Sequence, residues 1–343
     1  MNKIKYVLFC MAVMFFMAAC NNNGNEPKKG EGEKHVQGDV TVAAWTDSIA
    51  GDSTRADFYL HRAEAYMRTN QIAPAMMDIN KSISLDPRNV EAYLFLSDIY
   101  YALGDETNIK ATLNRAEEIA PTDARPMLKQ AELCLMQEDY NLSMAYIDKA
   151  LNLNKYNPRA YYLKGVWFMT RQDTAQAINN FLIAREQDGG FFDPVREIGL
   201  IYSAQNNPLA ESFLKSAVAQ FPEQEIMRYE LALFLQDHDK PDEAMSHYDT
   251  LLVTNPNSSR LFFNKGYVYL VYFGDNAKAV EHFDKALSID KNYTDALYNK
   301  GRALEQMGDY RSALDVYSQV LKQQPDYELA IAAMNRINNQ SEE

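Results

Sequence analysis

Cysteine is scarce in this chain, since 343 residues contain only Cys10, Cys20 and Cys134. No two of them have the spacing of a zinc-binding pair, and no histidine belongs to an HExxH motif. The Gly-rich phosphate-binding loops and the GxSxG nucleophile motif are missing as well. These absences exclude the enzyme classes that such motifs define. We therefore expect no catalytic activity, no metal and no cofactor.

Positive charge is also in short supply. The chain has 34 lysines and arginines against 47 aspartates and glutamates, which gives a formal net charge of −13 at pH 7. A protein body with this charge does not bind nucleic acid or an anionic lipid surface through electrostatic attraction. Nucleic acid is therefore excluded as an expected partner.

The first 19 residues have the composition of a secretion signal. Lys3 and Lys5 precede an uncharged apolar stretch at residues 6–17, whose length is typical of signal peptides. A membrane-spanning helix needs roughly 20 apolar residues, so this stretch is too short to be one. Two small residues, Ala18 and Ala19, then favour cleavage after Ala19. We expect residues 1–19 to be removed as a signal peptide.

Residues 17–20, with the sequence MAAC, resemble the lipobox of bacterial lipoproteins. The resemblance implies that Cys20 carries a diacylglyceryl group and, after cleavage, an acylated amino terminus. Position 21 is Asn rather than the Asp that retains many lipoproteins in the inner membrane. The resemblance therefore implies the outer membrane, with the periplasmic and surface leaflets both open. The alternative is an ordinary secreted protein that has a cysteine at its cleavage site.

Residues 20–40 contain almost no apolar side chains and several glycines. Such a segment cannot bury enough apolar surface to fold, so we expect a flexible tether. Its root-mean-square reach would be about 25 Å for a flexible coil of this length. The lipid would then anchor the protein to a membrane without a spanning helix. Acylation of Cys20 would also leave Cys134 without a disulfide partner, so packing must stabilise the fold.

An internal repeat of about 34 residues occupies most of the remaining chain. Its clearest copy is residues 294–327, in which apolar and small residues recur every three or four positions around a Gly308-Asp309 turn, and Pro325 closes the unit. This pattern resembles the tetratricopeptide repeat, a helix–turn–helix unit of 34 residues. The resemblance implies an all-α fold: a right-handed superhelical solenoid of about eight repeats over residues 56–325, with capping helices at both ends.

Small residues recur at the eighth place of each copy, where paired helices would cross. The copies begin near residues 56, 90, 124, 158, 192, 225, 259 and 294, and their eighth residues are Ala63, Ser97, Ala131, Gly165, Gly199, Ala232, Gly266 and Gly301. The fifth copy is one residue shorter between Tyr202 and Ala210, and the seventh is one longer between Gly266 and Ala279. We expect both changes to lie in turns, where a helical hairpin tolerates them.

The ends of a solenoid need caps, because end repeats would otherwise expose their stacking faces. Residues 41–55 form the predicted N-terminal half-repeat, with Val42, Trp45 and Ile49 toward the first repeat. Residues 326–343 form the predicted C-terminal capping helix and tail. Its apolar residues are Leu329, Ile331, Ala332, Met334 and Ile337.

In the tetratricopeptide family, ligands usually lie in a concave groove lined by the fifth and ninth residues of each repeat. The resemblance therefore predicts partner binding at Tyr162, Tyr229, Leu233, Phe263, Tyr267, Tyr298 and Arg302. For any one of these tyrosines taken alone, packing between adjacent helices is the better explanation. The cluster of Tyr229, Phe263, Tyr267 and Tyr298 favours binding, because aromatic anchors dominate interface energies. The fifth positions hold no lysine, so we do not expect the family's Lys-plus-Asn clamp for a C-terminal carboxylate.

These features together predict a non-enzymatic, membrane-anchored scaffold whose partners are proteins of a bacterial cell-envelope complex. A glycan- or peptidoglycan-binding module would also use aromatic residues, and a structural subunit of a secretion or assembly machine would use the convex or edge surfaces. An enzyme would depend on one acidic row, formed by Glu64, Asp98 and Glu132. Helix-packing distances place these residues about 10 Å apart, which is wide for paired-carboxylate chemistry.

Overall fold

The computed structural model describes residues 41–340, and these residues form helices joined by short turns, without a β-strand. The signal peptide, Cys20 and the tether lie outside the described residues, as does the tail beyond residue 340. The chain divides into two compact units, one ending at Val195 and the other beginning at Arg196. We refer to residues 41–195 as unit one and to residues 196–340 as unit two.

Eight helical hairpins follow an N-terminal helix at Val42–Gly51, and a helix at Glu328–Gln340 ends the described chain. The first helices of the hairpins are Ala56–Arg68, Val90–Ala102, Ala124–Met136, Pro158–Thr170, Phe192–Ala204, Glu225–Asp237, Ser259–Val268 and Thr294–Gln306. The second helices are Ile72–Leu85, Glu106–Ile119, Tyr140–Leu153, Thr174–Gln187, Ala210–Gln220, Pro241–Thr254, Asn276–Ile289 and Tyr310–Gln323. The predicted all-α repeat fold is confirmed.

Each hairpin turn contains one residue in the left-handed backbone region. Three of these are Gly104, Gly274 and Gly308, and the other five are Asn70, Glu138, Gln172, Asn206 and Asp239. In five hairpins an aspartate follows and caps the second helix by accepting a backbone N–H. These aspartates are Asp105, Asp139, Asp173, Asp275 and Asp309.

In three repeats the eighth residue is a glycine that makes room for an aromatic ring of the second helix. A Cβ atom added to Gly165 would lie 2.5 Å from the ring of Phe181, and one added to Gly301 would lie 2.5 Å from the ring of Tyr317. Both rings are fully buried. In repeat one the eighth residue is Ala63, and the side chain at the corresponding place of the second helix is Ile79. In these repeats glycine makes room for an aromatic ring between two close helices. The match is not general, because Gly199 faces Leu214 and Ala232 corresponds in place to the buried Tyr248.

The extra residue of repeat seven lies at the end of its first helix. Residues Tyr269–Phe273 form a π-helical turn, which widens the helix by one residue. The bond that closes this hairpin runs from the N–H of Asp275 to the carbonyl of Tyr269, six residues back. The equivalent bond of repeat eight, from Asp309 to Leu304, spans five. The insertion predicted near the Gly274 turn is thus absorbed by the helix that precedes it.

His282, on the second helix of repeat seven, is buried against this π-helical turn. Its ring stacks on Tyr269 with centroids 5.2 Å apart and on Phe262 at 6.2 Å. Its Nδ1 atom is buried without a hydrogen-bond partner among the described residues. Burial, reinforced by the positive charges of Lys265 and Lys285, lowers the pKa of His282 to about 4.

We expect the burial of His282 to make the fold sensitive to mild acid. The unfolded ring takes up a proton near its ordinary pKa of about 6.5, whereas the folded ring stays neutral, so acid favours unfolding. Between pH 7 and pH 5 this residue should lower the free energy of unfolding by about 1–2 kcal/mol. Urea unfolding of the wild type and of His282→Leu at both pH values measures the effect. Equal pH dependence in the two proteins would contradict it.

The C-terminal helix packs on repeat eight through only some of its apolar residues. Its buried residues are Ala330, Ala333 and Ile337, whereas Leu329 is 57% and Ile331 is 38% exposed. Of the apolar residues named from the sequence, Ile337 is buried and Met334 is partly buried against repeat eight, while Leu329 and Ile331 are exposed. The buried residues follow the helical spacing of three and four, and two of them are alanines, which the sequence pattern alone does not single out.

The N-terminal helix packs on repeat one through the predicted residues. Val42, Trp45 and Ile49 are half-buried, and the ring of Trp45 stacks on His61 with centroids 4.8 Å apart. Among residues 41–340, no helix combines the length and the hydrophobicity that crossing a membrane requires.

Candidate functional site

Tyr162 lies within the core of unit one. Only 1% of its surface is exposed, and its ring contacts Phe181 and Phe191 at centroid distances of 5.7 and 5.4 Å. The guanidinium of Arg159 lies 5.1 Å from the same ring. A side chain enclosed in this way cannot contact a partner without rearrangement. The prediction that Tyr162 binds a partner is therefore corrected.

The burial of Tyr162 is an instance of a wider rule for the aromatic fifth positions. Wherever an aromatic residue also precedes the next repeat, its ring packs on the fifth-position ring. Phe191 packs in this way on Tyr162, Tyr293 on Phe263 at 5.0 Å, and Tyr327 on Tyr298 at 5.3 Å. Phe263 and Tyr298 remain half-buried, but much of their ring surface is used to join consecutive repeats.

Tyr229 is held by polar contacts. Ser258 precedes the next repeat here, so no aromatic ring is supplied, and the guanidinium of Arg260 lies 4.5 Å from the Tyr229 ring instead. The side-chain amide of Asn264 donates a hydrogen bond to the Tyr229 hydroxyl at 3.1 Å. Burial raises the pKa of this hydroxyl. Tyr229 therefore stays protonated at neutral pH.

Three ninth-position residues of unit two leave part of their surface accessible. Leu233 and Tyr267 are half-buried, and Tyr267 contacts the ring of Phe263 at a centroid distance of 6.3 Å. Arg302 is also half-buried and donates to the side-chain oxygen of Asn299 at 2.8 Å. We define the accessible surface around Leu233 and Tyr267, on the first helices of repeats six and seven, as the candidate surface. It lies wholly in unit two.

Each carboxylate of the acidic row of unit one contacts a side chain of the protein. Glu64 lies 3.0 Å from His61, Asp98 forms an ion pair with Lys129, and Glu132 forms one with Arg159 at 2.7 Å. Asp98 and Glu132 thereby join consecutive repeats. Asp98 and Glu132 therefore contribute to the packing of unit one.

Two carboxylates of unit two, which the sequence analysis missed, lack such partners. Among the described residues, Glu230 has neither a hydrogen-bond donor nor an ion pair, and the same holds for Asp237. Burial raises the pKa of the half-buried Glu230, while the charge of Arg260 opposes that rise. Glu230 and Asp237 occupy the sixth and thirteenth places of their repeat, outside the fifth and ninth places from which binding was predicted.

The other candidate reactive groups of the described chain are Cys134 and the possible metal-ligating side chains. Cys134 is buried, and burial raises the pKa of its thiol, which makes it a poor nucleophile. In residues 41–340, no group of three or more histidine, cysteine, aspartate or glutamate side chains is placed to hold a metal ion. The arrangement favours recognition of another molecule through side-chain contacts.

The described fold defines a protein built from stacked helical hairpins. Family models described as tetratricopeptide repeat match residues 56–89 and 90–123, residues 229–296 and residues 270–337. The chain therefore contains tetratricopeptide repeats, as its sequence pattern predicted.

Curated relatives share these repeats at low identity. The chain is 21% identical over 276 residues to the mitochondrial import receptor subunit TOM70 of Rattus norvegicus, an alignment that covers 76% of this chain and 45% of that protein. It is 26% identical over 248 residues to the TPR repeat-containing protein MJ1428 of Methanocaldococcus jannaschii, covering 72% and 33%. The chain thus spans less than half the length of either relative.

Solved structures that match this chain include the APC/C hetero-tetramer Cut9-Hcn1, at 18% identity and a TM-score of 0.44. That match covers 76% of this chain and 45% of the other. YrrB, described as a TPR protein with an unusual peptide-binding site, matches at 21% identity and a TM-score of 0.37, covering 65% and 97%.

Proposed function

We propose that this protein is a lipid-anchored scaffold that binds proteins in a bacterial cell envelope. The observation that carries the proposal is the array of tetratricopeptide repeats, together with a partly open first-helix surface in unit two. Repeat surfaces of this kind suit an extended or helical segment of another protein. The names of the relatives, an import receptor subunit among them, support an interaction role.

The membrane anchor in this proposal rests on the MAAC sequence at residues 17–20. Acyl chains on Cys20 would fix the protein to the outer membrane, since each buried CH₂ contributes about 0.8 kcal/mol. The tether at residues 20–40 would let the repeats move within about 25 Å of the anchor. Confinement of this kind raises the effective concentration of the repeats near other membrane-bound proteins.

Crosslinking in intact cells, followed by capture from detergent-solubilised envelopes, tests both parts of the proposal. We expect the wild type to capture a defined set of envelope proteins. Leu233→Ala/Tyr267→Ala removes apolar area from the candidate surface and should reduce this capture by about tenfold or more, since aromatic anchors dominate interfaces. Met77→Ala/Val253→Ala is the matched control, because Met77 and Val253 are 75% and 82% exposed on second helices.

The same experiment with Cys20→Ser tests the anchor. We expect this variant to lose its lipid label and to leave the membrane fraction while its repeats stay folded. Capture that persists in Leu233→Ala/Tyr267→Ala would move the contacts to another surface, as in a structural subunit. Capture of wall glycan alone, without protein, would overturn the scaffold in favour of a peptidoglycan-binding module.

A further inference from the structure

The carboxylates on the first helices of the two units differ in whether they form ion pairs with the following repeat. In unit one, Asp98 and Glu132 each meet a cation from the following repeat, Lys129 and Arg159. Across from Glu230, repeat seven carries Asn264 at the sixth place and Tyr267 at the ninth. The nearby lysine of repeat seven, Lys265, is buried and forms its ion pair with Asp249. Arg260 of the same helix lies close enough to Glu230 for its charge to oppose the rise of the Glu230 pKa, but the two form no ion pair among the described residues.

Glu230, Leu233 and Asp237 share one face of the first helix of repeat six, since their separations of three and four residues place them in line. Asp237 also lies near the next repeat: burial raises the pKa of Tyr272, and the charge of Asp237 and the proximity of Tyr267 raise it further. Tyr267 lies three residues after Asn264 on the same helix, and Asn264 donates a hydrogen bond to the hydroxyl of Tyr229. Carboxylates, an aliphatic side chain and aromatic rings therefore adjoin one another on the candidate surface.

One cation, Arg260 on the first helix of repeat seven, lies close to Glu230. The guanidinium of Arg260 stacks on Tyr229 and lowers the pKa of Glu230 through its charge, but it forms no ion pair within the described residues. Glu230 and Asp237 together carry two negative charges, so Arg260 leaves this part of the surface negative. Glu230 is half-buried and Asp237 is exposed, and neither forms an ion pair among the described residues, so both can pair with a cation of a partner.

We propose that the candidate surface binds a protein segment that combines basic and apolar side chains, with lysine or arginine paired to Glu230 and Asp237 and apolar neighbours packed on Leu233 and Tyr267. This inference rests on the proposed scaffold function and specifies the chemistry of its partner. Seven residues of helix separate the two carboxylates by about 10 Å. A single cation cannot pair with both, so the segment carries two basic residues. An extended chain spans the same distance in about three residues.

Selection from a phage-displayed library of random dodecapeptides on the full chain in mild detergent tests this inference. We expect the selected peptides to be enriched in pairs of lysine or arginine beside aromatic or aliphatic residues. Fluorescein-labelled copies of these peptides then bind the wild type at least about tenfold more tightly than Glu230→Gln/Asp237→Asn, because a partly buried charge pair contributes more than about 1.4 kcal/mol. Peptides with norleucine in place of the basic residues should bind both proteins equally.

The matched control is Glu64→Gln/Asp98→Asn, which makes the same chemical changes at carboxylates already paired in unit one. It should bind the peptides like the wild type. Acidic peptides attracted by Arg260, peptides without basic residues, or equal binding by Glu230→Gln/Asp237→Asn would overturn the inference. If such peptides still lose affinity for Leu233→Ala/Tyr267→Ala, the scaffold function stands while its charge preference fails. If no peptide is selected, the inference fails, and the envelope crosslinking decides the scaffold function separately.

Discussion

Replacing Phe181 by alanine is expected to lower the free energy of unfolding by about 3–5 kcal/mol, the usual cost of removing a buried phenylalanine ring. The ring of Phe181 is fully buried between the two helices of repeat four. Because Gly165 opposite it has no side chain to fill the space, the change leaves a cavity bounded by backbone. Urea unfolding monitored by circular dichroism measures the loss, and amide hydrogen exchange shows whether it is centred on repeat four.

Two further variants distinguish the size match between Gly165 and Phe181 from a simple loss of buried apolar area. Leu182→Ala is the matched control, since Leu182 is the next residue on the same helix and is 40% exposed; it should change the free energy of unfolding by less than about 1 kcal/mol. Gly165→Ala/Phe181→Ile recreates the Ala63 and Ile79 arrangement of repeat one. We expect this double variant to be more stable than Phe181→Ile alone. A double variant that shows only the sum of the two single effects would contradict the size matching.

The relation between Gly165 and Phe181 illustrates how much of the fold could be predicted from sequence. A 34-residue pattern of small and apolar residues indicated helical hairpins, because the pattern repeats eight times with small and apolar residues at the same places in each copy. The π-helical turn at Tyr269–Phe273 could not be placed in this way. The sequence shows that repeat seven has an extra residue, but either a helix end or a turn can accommodate one residue. In this structure the helix end accommodates it, where Tyr269 of the π-helical turn stacks on His282.

The candidate site was less predictable, because a repeat position specifies a helix face and not its exposure. Tyr162 and Tyr229 occupy the same fifth place, yet Phe191 covers the first and Arg260 stacks on the second. These covering residues come from the following repeat, so the single-repeat pattern contains no information about them. Glu230 was missed for a similar reason. Its lack of a partner depends on what repeat seven places opposite it, which emerges only when neighbouring repeats are seen together.

Replacing Asp78 by alanine should destabilise the N-terminal end of unit one by about 3–5 kcal/mol, as expected when one member of a buried ion pair is removed. Arg62 donates to the carboxylate of Asp78 through two hydrogen bonds of 2.6 and 2.8 Å. The two side chains are only 17% and 9% exposed. Arg62 also donates to Thr46 of the N-terminal helix at 3.2 Å. Loss of Asp78 would leave this guanidinium partly buried without its anion, so we expect faster hydrogen exchange in the N-terminal helix and repeat one.

A surface pair and an apolar replacement provide the controls for Asp78→Ala. Arg125→Ala removes an arginine that is 53% exposed and paired with Glu91 and Asp123, and it should cost less than about 1 kcal/mol. Arg62→Met/Asp78→Leu removes both charges at once and should cost less than Asp78→Ala, because no charge is left without its partner. If Asp78→Ala costs no more than Arg125→Ala, the pair is solvated rather than buried. In that case the N-terminal end of unit one is stabilised mainly by apolar contacts, such as the contact of Trp45 with His61.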